Sequence, residues 1–575
     1  MEYISKVSYD YIMSKYNPTA RFGRNDSLFS EDSGMAANLI IEGIRAQDRE
    51  LAGLSHPVRK AKAFAYVLEN TRINCDPRDP FPAINMIDRP LNATVISTWN
   101  NEVFSGIIPE VNAVRGTLEG NAVATMWPDY DHSVPYWDRI LSLGFVGLLE
   151  ESEKARSAQT TLTEDMTAFY DGVKITYEAI LIFLSRLQKM AEQQGSDRMA
   201  AALLHLQTSA PVSFYEALVA CYIYYMLCEH IEGMQARSLS NFDRVFYPYY
   251  KNDLSSGIAE EELRIDLAYF FLQIVGIGNY WGQPVYLGGC TEDEGTVINE
   301  LSYVFLDVYD KMGIYNPKIQ IKIAESTPKP FILKALDMIR RGNNSIVFIG
   351  DATIRKALVN AGISPDEARQ CDISGCYEYC MRGGITIGMQ YFNLLKPLEF
   401  ALHGGRDGVN GVPLGLPCPQ AEEYTDFEMF FTEYKRQISA VIDTIISTVN
   451  KFENYLHTVN PQSLLSASYP TCISRGKDVL GGGASESLST ILFGFMADAA
   501  DSITNIKKYV FDKKLLTLAQ LRDILDADFE GNEKLRQIFL ADPDKYGNNR
   551  ELPDKFACEI ADFVSSQVCY PIRSV

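Results

Sequence analysis

Residues 318–369 constrain the fold more than any other stretch. "KIQIKI" (318–323) alternates as a strand does, Thr327-Pro328 supplies an N-cap and first-turn proline, and "FILKALDMIRRG" is a helix stopped by Gly342. "SIVFIG" (345–350) is a second buried strand, "TIRKALVNAG" a second helix, and Ser364-Pro365-Asp366-Glu367 a capping box for a third. Strand, helix, strand, helix is the pattern of a parallel sheet in an α/β fold. Chemistry in α/β barrels gathers in loops at strand ends. The residues just after 369 are therefore the place to look for a site.

The rest of the chain is compatible with one large unit. A length of 575 residues allows several average domains or one decorated catalytic barrel. There is no internal repeat, low-complexity linker or composition break, so residues 1–575 read as a single domain with a helical N-terminal region. Long buried helices are expected at 166–193 and from Val212, with further helical segments at 393–402 and 426–457 and an acidic helical tail. No run of eighteen apolar residues and no basic, apolar leader occurs, so a soluble cytoplasmic chain without a membrane partner is expected. With 53 basic against 74 acidic residues the net charge is −21, which repels nucleic acid. The 11 cysteines show no regular framework and read as reduced thiols.

"CDISGCYEYC" (371–380) follows the parallel units directly. Cys371, Cys376 and Cys380 lack the paired spacing or nearby histidine of a tetrahedral metal set, so no metal is expected. A buried thiol in a small core site is the ordinary use of such a cysteine, but Glu378 strains that reading. On a strand, residues two apart face the same side, so Glu378 would share the surroundings of Cys376 and need a partner or a task. A neighbouring carboxylate also raises a thiol pKa, so Cys376 is expected to work as S–H. The remaining candidates are weaker. His132, in "WPDYDHSVPYWDR", one of only six histidines and set among aromatic and acidic residues, reads first as a hydrogen-bonded core histidine. Asp243, in "SNFDRVFYPYYKNDL", reads as a cap or ion-pair partner, or as a substrate contact. Arg237 and Arg382 can bind an anionic substrate group or pair within this acidic protein. "GGGAS" (481–485) lacks the order of a phosphate-binding loop and reads as close packing or a tight turn.

"SGCYEY" resembles the active-site cysteine loop of the glycyl radical enzymes of the pyruvate formate-lyase type, whose eliminase branches carry Gly-Cys-Val-Glu there. "PVSFYEAL" (211–218), "FDRVFYPYYKNDL" (242–254), "LGG" (287–289), "INELSY" (298–303), "FNLLKPLEFAL" (392–402), "CISRGKDVLGGGA" (472–484), "DSITNIKKYVF" (501–511), "DFEGNEKLRQIFL" (528–540) and "DKYGNN" (544–549) match in order. The resemblance implies a ten-stranded α/β barrel of two five-stranded halves, with the cysteine on a finger loop inside. It implies that a glycyl radical takes the hydrogen of Cys376, that the thiyl radical abstracts a substrate hydrogen, and that Glu378 is the general base. The segment around His132 falls where the dehydratases carry a histidine that protonates the leaving group. Pyruvate formate-lyase itself uses two adjacent cysteines, and Cys376 has no cysteine neighbour.

Two features depart from the family pattern. Ser240-Asn241 replaces a glycine-arginine before Phe242-Asp243, and the radical-bearing Arg-Val-Ser/Ala-Gly-Tyr/Phe motif occurs nowhere in the chain. The resemblance then implies that the glycyl radical domain is absent here. It would be supplied by a partner chain and installed by a radical S-adenosylmethionine activating enzyme, with no cofactor bound in this chain and work in the absence of oxygen. The expected function is that of the large subunit of a split lyase cleaving a C–O, C–N or C–S bond in a small polar substrate. The alternatives are a formate-lyase-like acyltransferase or decarboxylase, a non-catalytic binding or scaffold relative, and a truncated chain.

Overall fold

A computed structural model describes residues 9–14, 31–85, 89–128, 132–232, 238–277, 283–375 and 378–568. Its strands are β1 (Ile73–Asn74), β2 (Ala83–Ile84), β3 (Ala124–Pro128), β4 (Val285–Gly288), β5 (Ile319–Ile323), β6 (Ile346–Gly350), β7 (Asp372–Ser374), β8 (Glu378–Cys380), β9 (Ile385–Asn393) and β10 (Ser487–Gly494). β4, β5 and β6 form a parallel arc, with Val285 opposite Ile319 and Ile319 opposite Ile346. A parallel bridge from Asn241 to Tyr286 widens it by one chain. In the second arc, β9 lies between β10, which runs parallel to it, and β3, which runs antiparallel. The β7–β8 hairpin, with Asp372 opposite Cys380 and Ser374 opposite Glu378, belongs to neither arc, while β1 and β2 pair only with each other.

Local chemistry explains why the elements form. The helix Glu164–Gln193 starts where the Thr163 side chain accepts from the Met166 amide, and it packs on His56–Asn70. Phe214–Leu227 is apolar on every side and is buried at every residue except Glu216, so it runs through the core rather than over it. Ser364 and Glu367 make the expected capping box. Thr327 differs from expectation. Its hydroxyl accepts from the Ala324 amide, and Pro328 occupies the N-cap of Lys329–Arg340. Segment 393–402 also differs at its start, because Asn393 ends β9 and the helix is Leu395–Leu402. The glycine cluster is a short 3-10 turn at Val479–Gly481, and a side chain at Gly483 would meet the Lys477 carbonyl at 2.2 Å.

β5, the central strand of its arc, is buried at four of its five residues. β6 and β10, outer members of the two arcs, are mostly half-buried, and no residue of β10 is fully buried. Among the described residues no helix is long and apolar enough to cross a membrane.

Candidate functional site

The hairpin is held at its foot by an acid that the sequence reading did not single out. Asp372 accepts from Ser240 Oγ at 2.7 Å and from the Tyr286 hydroxyl, joining β7 to the edge of the parallel arc. Lys322 of β5 donates to the Cys371 carbonyl at 3.1 Å and lies 3.3 Å from Asp351 Oδ1. Higher up, Gln320 Nε2 donates to the Gly375 carbonyl at 3.4 Å. Tyr286, Lys322 and Gln320 therefore form a polar rail along which the hairpin rises. The thiols flanking the tip stay protonated, since burial pushes the Cys371 thiol up and the Cys380 thiol well above the ordinary range.

At the tip, the sequence-distant His132 meets two groups of the hairpin, Gly375 and Glu378. His132 Nε2 lies 4.0 Å from Glu378 Oε1, with the two side chains only 7% and 10% exposed. The His132 carbonyl accepts from the Thr386 amide, which ties the histidine to β9 as Glu378 is tied to β8. Gly375 separates them, with φ at +55°, and a Cβ there would meet His132 Cδ2 at 2.4 Å and Glu378 Oε2 at 2.5 Å. Only glycine combines that backbone angle with that closeness. A carboxylate and an imidazole at this separation in a sheltered place can take a proton from one substrate atom and give one to another. Cys376 and Arg237 lie outside the described residues, although Cys376 directly follows Gly375 in the chain.

The other two candidates sit away from this pair. Asp243 is fully buried, and its oxygens accept from Asn241 Nδ2 at 2.8 Å, the Gly288 amide at 3.0 Å and Ser302 Oγ at 2.6 Å. Burial pushes its carboxyl up to about 7 against the lowering effect of those donors. Asp243 thereby braces the C-terminal end of β4. Arg382, just after the hairpin, has Nε 3.7 Å from Asp372 Oδ2 and 3.8 Å from Asp138 Oδ2. Asp138 in turn takes a forked pair of bonds from Arg244. An acid opening a strand beside a tyrosine-bearing neighbour is a weak sequence signal, which is why Asp372 was not anticipated.

Comparison with known proteins places this geometry. The chain is 26% identical over 469 residues to trans-4-hydroxy-L-proline dehydratase of Clostridioides difficile, covering 75% of this chain and 59% of that protein. It is 24% identical over 513 residues to (2S)-3-sulfopropanediol dehydratase of Klebsiella oxytoca, covering 82% and 61%. The chain thus spans about three fifths of the length of these relatives. Its fold matches a glycyl radical enzyme of Archaeoglobus fulgidus with a TM-score of 0.82 at 22% identity, over 97% of this chain and 79% of the other. The two arcs and the hairpin are thus those of the glycyl radical enzyme barrel. A family model described as pyruvate formate lyase-like matches residues 96–569, and this chain belongs to that family.

Proposed function

We propose that this chain is the large catalytic subunit of a two-component glycyl radical lyase that cleaves a C–O, C–N or C–S bond in a small polar substrate. The observation that carries the reading is the His132 and Glu378 pair packed on Gly375, immediately before Cys376. Two relatives are named as dehydratases of small hydroxylated compounds, in keeping with that substrate class.

A glycyl radical on a partner chain, installed by a radical S-adenosylmethionine activating enzyme, supplies an acceptor for the hydrogen atom of a thiol. In this reading Cys376 gives up that hydrogen atom, and its sulfur radical takes one from a substrate carbon, which restores S–H. Glu378 accepts the proton of the hydroxyl on that carbon. The charge released there expels the group on the adjacent carbon, and His132 protonates it as it leaves. The product radical left behind takes a hydrogen atom back from the Cys376 S–H, which closes the product shell and restores the sulfur radical. Asp243 acts by position, holding the end of β4 against which the hairpin stands. The near-complete burial of His132 and Glu378 limits the access of water to the radical-bearing site.

A partner strand fits the outer edge of β10, whose residues are exposed or half-buried although its neighbour β9 is largely buried. Trp127 pairs with Met389, Thr125 with Tyr391 and Leu492 with Tyr391, which puts these side chains on one face. Trp127 and Tyr391 are exposed there, as an apolar wall awaiting cover requires.

The test is an anaerobic pull-down of the native protein from its source, with mass spectrometry searching the bound chains for Arg-Val-Ser/Ala-Gly-Tyr/Phe. A partner with that motif is expected. Its complex should develop a glycyl radical signal by electron paramagnetic resonance, with turnover lost in Cys376→Ala and Glu378→Gln. Recovery of the native chain alone, with no such motif in cis or in trans, refutes the proposal.

A further inference from the structure

A cleft of 570 Å³ opens at the C-terminal ends of β4 and β5, beside the foot of the hairpin, and neither His132 nor Glu378 lines it. Ligands in parallel α/β sheets collect at this end of the strands. Its walls carry Arg244, Arg369, Arg382 and Lys322 against two carboxylates, Asp243 and Glu292. The counter-ions of the four cations, Asp138, Asp366, Asp372 and Asp351, are not among the lining residues. Both oxygens of Asp243 are already engaged by internal donors. Burial also pushes that carboxyl up to about 7. The cleft therefore presents four cationic side chains, each with its carboxylate partner set behind the wall, on a chain whose net charge is −21.

Two donors in it are unspent. Arg382 Nε and Arg244 Nε are buried and have no hydrogen-bond partner among the described residues, and a buried donor without an acceptor is costly. Arg382 lies 3.7 Å and 3.8 Å from its nearest carboxylate oxygens, beyond hydrogen-bond range. Planar guanidinium groups converging on one space match an oxyanion better than they match water. Tyr247 and Tyr286 add ring surface to the same walls, their hydroxyls being engaged by Glu300 and Asp372. The volume exceeds that of a bare oxyanion and leaves room for a small organic body.

We propose that this cleft binds a small doubly charged oxyanion, a phosphate monoester or a dicarboxylate, between Arg369 and Arg382. These residues stand at the two ends of the hairpin, Arg369 before Cys371 and Arg382 after Cys380. An anion held by both ties the ends together and steadies the tip that carries Gly375, Cys376 and Glu378. The site is distinct from the proton-transfer pair, and occupancy acts on it through the hairpin.

The test uses the full 575-residue chain at constant ionic strength, titrated calorimetrically with inorganic phosphate in one arm and succinate in the other. Saturable binding of at least one anion is expected, weakened about tenfold or more in Arg369→Gln and in Arg382→Gln. Preference for phosphate or for succinate assigns the ligand's source. Bound anion should also slow amide hydrogen exchange in β7 and β8. Arg369 pairs only with the exposed Asp366 among the ion pairs seen, so Arg369→Gln decides the matter even if Arg382→Gln fails to fold. Absence of saturable binding by both anions, or unchanged affinity in Arg369→Gln, overturns the proposal.

Discussion

Replacing Gly375 by alanine isolates the packing that brings the candidate acid–base pair together. Two costs follow from the structure. A non-glycine residue at φ +55° costs about 1–2 kcal/mol. The new methyl would lie 2.4 Å from His132 Cδ2, 2.8 Å from His132 Nε2 and 2.5 Å from Glu378 Oε2, which forces a shift of the order of 1 Å. Overpacking of this kind adds about 1–3 kcal/mol. The sum is about 2–5 kcal/mol, and the two parts separate in a double-mutant cycle. In a His132→Ala background the imidazole clash is gone and the Glu378 carboxylate can swing aside, so Gly375→Ala should cost only the backbone penalty. Urea unfolding of the four proteins should show a coupling of about 1–3 kcal/mol. Where activity is measurable, Gly375→Ala should lower kcat about a hundredfold, because ångström displacements of catalytic groups are that costly. An unchanged alanine penalty in the His132→Ala background, within about 0.5 kcal/mol, would show that the imidazole does not rest on Gly375, and the proposed site would fail with it.

Other perturbations test the surrounding structure. Because the Asp243 carboxyl is raised to about 7 in the folded chain, the folded state keeps its proton where the unfolded state has lost it. This group's contribution to stability therefore falls as pH rises from about 4 to about 7. Asp243→Asn should remove that slope, read as the wild-type minus variant difference in urea midpoints across the range. Lys60 is buried 3.3 Å from Glu232 and donates to Asn460 and the Pro461 carbonyl. Lys60→Met should cost about 3–5 kcal/mol by stranding the Glu232 carboxylate, and adding Glu232→Gln should recover part of the loss in thermal unfolding. Among the described cysteines only Cys558 is exposed, while burial first, and then Asp351, push the Cys290 thiol up to about 12. Peptide mapping after brief alkylation at pH 8 should find Cys558 modified and Cys290, Cys371 and Cys380 untouched until the chain unfolds.

The parts of this fold that sequence alone reveals are those whose signal is local. β5, β6, the capping box at Ser364 and the long helix Glu164–Gln193 each carry their period or cap within a few residues, and each appears close to where it was expected. β9 and β10 were not anticipated, for a physical reason. β9 mixes the buried polar Thr386 and Gln390, together with Gly388, with apolar residues, so neither a continuous apolar run nor a clean alternation survives. β10 reads as serine, threonine and aliphatic residues after a glycine cluster, and its half-buried edge removes the strong apolar signature of an inner strand.

The site divides along the same line. That Cys376 and Glu378 share a loop is visible in ten letters. That His132 stands 4.0 Å from Glu378 is a product of long-range topology. β3 must run antiparallel to β9 to bring the residue after Pro128's segment beside Thr386, and the hairpin must be anchored through Asp372 to Ser240 and Tyr286 to lift Glu378 to the same level. No spacing rule contains that information. The one local trace of it is Gly375, whose missing side chain leaves the space through which the two meet. Loss of that space, rather than loss of either side chain, is the change that separates the candidate acid–base pair while leaving both groups in place.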